Sequence, residues 1–224
     1  MDHLEAGAGR AEADKRRVVV RLVRPDEVSR WDELMAAHHY LGFRILVGES
    51  LKYVAEQGGS WLALLGWGAA AFKCGPRDAW IGWTKSQQWR RLRYVANNMR
   101  FLILPGERRP NLASQILGAN LRRLSGDWQA IFGHPIVLAE TFVDPDFQGT
   151  CYRAAGWQEL GKTKGYGRNG GRYYFHGRSK AILVRQVQRR GREWLAAPFD
   201  APALQPGGPN LPDLNYVLDA KGEL

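Results

Sequence analysis

The chain has 224 residues, 45% of them hydrophobic, which is enough for one well-buried domain with flanking tails. Lysine and arginine outnumber aspartate and glutamate by 32 to 22, giving a net charge of +10 and a pI near 9.9, a balance that draws a protein toward polyanions such as nucleic acid. There is no apolar run of roughly 18 residues to span a membrane, the start MDHLEAGAGRAEADKRR is too polar for a signal peptide, and Cys74 and Cys151 form no CxxC or zinc spacing; the expectation is a soluble, cytoplasmic chain with no membrane partner and no structural metal.

Residues 1–16 carry no periodic apolar pattern and read as a tail, and residues 196–224 read as a second, proline-rich tail. Between them, 17–195 reads as one domain. Val18 to Val23 is a strand, and Pro25-Asp26-Glu27 opens a helix with Val28, Trp31, Leu34 and Met35 at helical spacing, ending near His38 to Gly42. Leu51–Ala55 and Trp61–Trp67 form a hairpin around Gly58-Gly59, the second strand running on past Gly68 to Phe72. A short aromatic segment, 78–83, precedes a basic helix expected over 84–98 that holds Lys85, Arg90, Arg91 and Arg93. Phe101–Leu104 is a strand closed by Pro105-Gly106, and a helix follows from Asn111 to Leu124. A strand from Ile136, a helix over Thr150–Ala155 and a strand from Trp157 complete the order. The result is an α/β (α+β) domain with a mixed, mostly antiparallel central sheet flanked by helices.

That order, with Tyr152-Arg-Ala-Ala-Gly-Trp157 as its late tyrosine, small-helix, glycine-aromatic element, resembles the Gcn5-related N-acetyltransferase (GNAT) fold. More specifically, HHYLG at 38–42, RDAWIGW at 77–83, NNMRFLILPG at 97–106, NLAS at 111–114, DW at 127–128, ETFVD at 140–144 and GTCYRAAGW at 149–157 are similar to the DruA family, named after a component of the Druantia anti-phage system and found with mobile elements. The resemblance implies a role near DNA, in defence or transposition, alongside other proteins of such a system, and it names no cofactor. GNAT enzymes hold the coenzyme A pyrophosphate on a Q/R-x-x-G-x-G/A loop at a helix N-terminus. The matching stretch here, Glu107 to Ser114, lacks those glycines and leaves Arg108, Arg109 and Asn111 as the candidate anion ligands. Asn111 also reads simply as a helix N-cap.

Four residues, and more weakly a fifth, are candidates for chemistry. Glu140 and Asp144 lie four apart in an extended segment, spacing that suits acid/base work or a divalent ion; alternatively Asp144 caps the turn and Glu140 pairs with an arginine. Tyr152 is a candidate general acid, or else a core tyrosine. His39, at a helix end, is a candidate base, and Cys151 a weaker nucleophile candidate. The run 160–192 holds ten cations and no acid. Within it Lys162, Lys164, Arg168, Arg172, Arg178 and Lys180, with Tyr173 interleaved and Arg90 and Arg91 from the earlier basic helix, are the expected nucleic-acid contacts. Three functions compete: a GNAT-like enzyme acting on DNA, a noncatalytic DNA-binding adaptor recruiting a nuclease, helicase or transposase, and an acyltransferase on a protein or small molecule.

Overall fold

A computed structural model describes residues 17–169, 172–198 and Leu204. The strands are β1 (Val19–Leu22), β2 (Leu51–Gln57), β3 (Ser60–Ala69), β4 (Val95–Ile103), β5 (Leu138–Val143), β6 (Gln158–Lys162), β7 (Tyr166–Asn169), β8 (Arg172–Phe175) and β9 (Ala181–Gln186). The helices are α1 (Val28–His38), α2 (Gly75–Ile81), α3 (Lys85–Arg91), α4 (Leu112–Phe132), α5 (Thr150–Ala154) and α6 (Gly191–Ala196). Seven strands form one sheet in the order β1-β2-β3-β4-β5-β9-β6, while β7 and β8 make a separate hairpin. Every pairing in the large sheet is antiparallel except β4 with β5.

Local chemistry accounts for several of these elements. Gly58 and Gly59, at φ +56° and +81°, supply the two left-handed positions of a tight two-residue turn, and the β2–β3 register from Gln57 opposite Ser60 follows. Alternation along β2 and β3 sends Tyr53, Ala55, Ala63, Leu65 and Trp67 into a core with α4, and Val54 and Leu64 to the other face against Trp31 and Met35 of α1. Beyond β4, the face opposite α4 carries a separate packet in which Ile81 of α2 and Leu195 of α6 pack on Val137, Leu138 and Val184. Leu204, within the stretch read as a tail, is buried in this packet and its carbonyl accepts from the Tyr94 hydroxyl at 2.7 Å.

Three boundaries differ from the sequence expectation. The helix expected over 84–98 is one short helix, α3, started by a Thr84/Gln87 capping box. A 3-10 turn follows, and from Val95 the chain enters β4, because Ala96, Asn97 and Asn98 find backbone partners in Ala69, Gly68 and Trp67 of β3; ladder pairing overrides weak helical propensity there. The second hairpin strand stops at Ala69, not Phe72. Helix α4 runs eight residues past Leu124, since Trp128 extends the buried stripe of Ile116, Asn120 and Leu124, and Gly133 at φ +77° ends it.

The β4–β5 pairing is short. It covers only Val95–Leu138, Ala96–Ala139 and Asn97–Glu140, after which the two strands diverge. At the point of divergence Glu140 is fully buried, accepting from Arg77 Nη1 at 2.7 Å and from the Ala71 amide at 2.7 Å. Arg77, also fully buried, donates further to the Ala71 carbonyl at 2.8 Å and to Asp78 at 2.8 and 3.0 Å. Burial pushes the Glu140 carboxyl above its ordinary range, a shift that Arg77 and the Ala71 amide offset only in part, and the two donors aimed at it make the pair a buried, hydrogen-bonded unit. Removing one partner strands the other. Glu140→Ala is therefore expected to destabilise the domain by about 3–5 kcal/mol, read as a lower urea midpoint at unchanged m-value.

Candidate functional site

The divergence of β4 and β5 leaves a cavity of about 1310 Å³. Its floor is the gap itself, with Asn98 and Phe101 on one side and Thr141 and Val143 on the other. Hydrogen bonds hold that gap in place. The Tyr152 hydroxyl, brought in by α5, donates to Asn98 Oδ1 at 2.7 Å, and Thr141 Oγ1 donates to the Asn98 carbonyl at 3.0 Å. The Asn98 amide in turn donates to the Arg100 carbonyl at 3.3 Å. Gly149 at φ +66° and Gly156 at φ +78° bracket the short α5 that aims Tyr152 inward.

The walls are basic. Lys73 from the loop after β3, Arg100 from β4, Lys162 and Lys164 from the end of β6, and Arg178 and Lys180 from the segment between β8 and β9 all line the cavity, against, among the described residues, the single carboxylate Asp144. Asp144 is itself neutralised. It is 4% exposed, accepts from Arg178, and has Lys180 Nζ at 3.8 Å. Burial alone would raise its pKa, but Arg178, the Asp146 amide and Lys180 overcome burial and hold the carboxyl below its ordinary range. The same Arg178 nitrogen also reaches Asp146 at 2.6 Å, and Lys180 is tied to Thr163 through main-chain and hydroxyl bonds of 2.9 Å each.

Of the four residues singled out for chemistry, Asp144, Tyr152 and His39 line the cavity and Glu140 does not. Glu140 is absent from the cavity wall and sealed against Arg77, so the arginine-pairing alternative describes it. Asp144 lies in the cavity, ion-paired. Tyr152 reaches the cavity, but its hydroxyl is engaged by Asn98 and burial raises its pKa above the ordinary phenol, which disfavours it as a proton donor near neutrality. Burial, with Arg100 nearby, pushes the His39 imidazole down to about 4, so it is neutral at physiological pH; its Nδ1 accepts from the Leu41 amide at 3.2 Å, which assigns the ring proton to Nε2. Burial also raises both thiols, Cys74 to about 11, leaving neither as a thiolate. Among the described residues no three His, Cys, Asp or Glu side chains gather to hold a metal ion.

The expected binding residues divide in the same way. Arg91 is buried and donates to the Leu195 and Ala197 carbonyls at 3.0 and 2.6 Å, tying α3 to the end of α6 instead of facing a ligand; Arg90 is exposed. Arg109 is held by Glu107 and Gln57, Arg108 is exposed, and Asn111 sits at φ +61° with no side-chain cap bond. None of these three lines the cavity. Pro110 has no N–H and the Leu112 amide donates to the Arg109 carbonyl, so this stretch builds no cradle for a pyrophosphate and does not fit coenzyme A held in the glycine-loop manner. Arg168, Arg172 and Tyr173 lie on the β7–β8 strands, their side chains outside the described residues. From the basic run, Lys162, Lys164, Arg178 and Lys180 meet at the cavity, whereas Arg185 binds the Gly156 carbonyl and Arg192 covers Trp80. Lys73 and Arg100 are isolated cations in their own segments, so no local cluster of charge marks them.

The sheet order, the one parallel pairing and the divergence beside it define a GNAT-like fold, and solved GNAT enzymes share it. Aminoglycoside acetyltransferase AAC(6')-Ib in complex with coenzyme A aligns with a TM-score of 0.51 at 14% identity, over 79% of this chain and 98% of its own. Its acetyl-coenzyme A complex gives 0.51 at 14%, over 82% and 99%, and an N-acetyltransferase from Staphylococcus aureus gives 0.49 at 11%, over 77% and 99%. The family described as Druantia protein DruA matches residues 6–175, and the chain belongs to that family. No curated protein matches it.

The Asp144 ion pairs give a pH signature. A carboxyl depressed in the folded state contributes stability that is present above the ordinary Asp value, about 3.9, and is lost as pH falls through the lower folded value. Arg178→Met takes away the chief opposing charge, so acid unfolding followed by circular dichroism is expected to begin at higher pH in the variant than in the unaltered chain.

Proposed function

We propose that this DruA-family protein binds a nucleic-acid strand across the basic cavity, as a cytoplasmic component acting on or at DNA in anti-phage defence or on a mobile element. One observation carries the reading. Six lysine and arginine residues from four separated segments converge on one cavity whose only carboxylate among the described residues is already ion-paired. A solvated basic surface normally interleaves both signs, whereas an excess concentrated in a concavity focuses potential toward a polyanion. The divided fate of Glu140, Tyr152 and His39 favours a binding role over chemistry built on those residues. Recruitment of a nuclease, helicase or transposase to the bound strand is the corresponding role for a protein of this kind.

Acyl transfer stands second. It is favoured by the solved neighbour that holds coenzyme A, but fold alone does not fix function and the 107–114 stretch offers no phosphate cradle.

Binding of a labelled 16-nucleotide strand should weaken steeply with salt. With roughly five phosphates neutralised, affinity is expected to fall about 100-fold between about 50 and 200 mM salt. The Lys162→Glu/Lys164→Glu variant should bind at least about tenfold more weakly with a shallower salt slope. Affinity independent of salt, or a pair of charge reversals without effect, would remove the cavity from the binding surface. A thermal shift on adding coenzyme A, absent with oligonucleotide, would put acyl transfer first.

A further inference from the structure

Around the basic cavity the protein leaves an unusual share of aromatic surface in water. Tyr40 and Phe147 are each 51% exposed, and their rings touch at a centroid distance of 4.6 Å. The His39 ring lies beside Tyr40 at a centroid distance of 4.7 Å and 31°. Tyr40 belongs to the turn after α1, closed by the Gly42 amide on the His39 carbonyl at 2.7 Å, and Phe147 to the loop between β5 and α5. The contact pins two loops together yet leaves half of each ring free. Tyr166 (59% exposed) and Phe175 (67% exposed) form a second pair at 5.1 Å, at the base of the β7–β8 hairpin. Tyr40, Phe147 and Tyr166 line the same cavity as Lys164 and Arg178.

Duplex DNA presents phosphates outward and hides its base faces, so a site for duplex backbone needs cations and no rings. An unpaired strand presents both, and proteins that hold one alternate cations for the phosphates with aromatic faces for the bases. Exposed rings packed among cations on the wall of one cavity match the second demand. The rings are also placed on turns anchored by hydrogen bonds, so little ordering opposes stacking upon them.

We propose that the Tyr40–Phe147 pair is a base-stacking platform, and that the ligand of the cavity is single-stranded nucleic acid, with at least one unpaired base seated on that platform while Lys164 and Arg178 hold the adjoining phosphates. The inference rests on the polyanion reading of the cavity and narrows its ligand class. Tyr166 and Phe175 provide a second stacking surface along the same strand.

The test is fluorescence anisotropy of the full chain with a labelled 16-nucleotide oligothymidylate and with a duplex of the same length, at one salt concentration. The oligothymidylate is expected to bind more tightly. Tyr40→Ala and Phe147→Ala should each weaken it about tenfold while leaving the slope of log affinity against log salt unchanged, because no phosphate contact is lost. Tyr40→Trp, which keeps a ring face, should restore binding where Tyr40→Leu, similar in apolar bulk, does not. Equal affinity for the two probes together with neutral ring variants would overturn the platform and leave the charge-based reading standing. Failure of both probes to bind at low salt would overturn the polyanion reading and this inference with it.

Discussion

The parallel pairing of β4 with β5 lasts for three residue pairs and then stops, and nearly everything particular to this protein follows from how that stop is held. On one face the Arg77–Glu140 ion pair closes the junction; on the other, Tyr152 and Thr141 converge on Asn98. Two diverging strands would otherwise expose backbone polar groups to a dry interior, which is costly. Here side chains satisfy part of that demand, and the divergence becomes a permanent cavity in place of a packing defect. Buried, hydrogen-bonded side chains of Asn98, Thr141 and Tyr152 hold its floor in place.

The electrostatics of the cavity come from chain segments far apart in sequence. The β6 end and the segment leading into β9 cross the mouth together because Thr163 and Lys180 are bonded to each other, and Arg178 is then drawn down onto Asp144 and Asp146. This clamp orders a basic segment that would otherwise repel itself. It also means that Asp144 serves to position cations, since a carboxylate already engaged by two of them is a weak proton acceptor.

Membership of the DruA family and the GNAT-like sheet give the protein a scaffold in which related enzymes hold a cofactor by a glycine-bearing loop. This chain keeps the sheet and replaces that loop with Arg108, Arg109 and Pro110, where the one long side chain with described partners is bound to Glu107 and Gln57. The cations of the cavity come instead from other segments of the chain, at Lys73, Arg100, 162–164 and 178–180.

Local pattern was enough for much of this. The hairpin glycines, the alternation along β2 and β3, the helical stripe of α1 and the tyrosine-glycine-tryptophan element around α5 are read from neighbours within a few residues, and physical chemistry at that range is set by the sequence alone. The basic excess and its concentration between Leu160 and Arg192 were equally plain. What local pattern missed was decided by contacts at long range. Val95 to Asn98 became strand because β3 offered an open ladder; Glu140 became structural because Arg77, 63 residues away, lies against it; Arg91 became a tie to α6 because three carbonyls of that helix end face it. Lys73, Arg100, Tyr40 and Phe147 form no charge or stacking cluster within their own segments, and only the folded sheet sets them around one cavity. Charge and propensity are properties of the chain, but burial, pairing and convergence belong to the tertiary structure, since each depends on which distant group arrives to complete it.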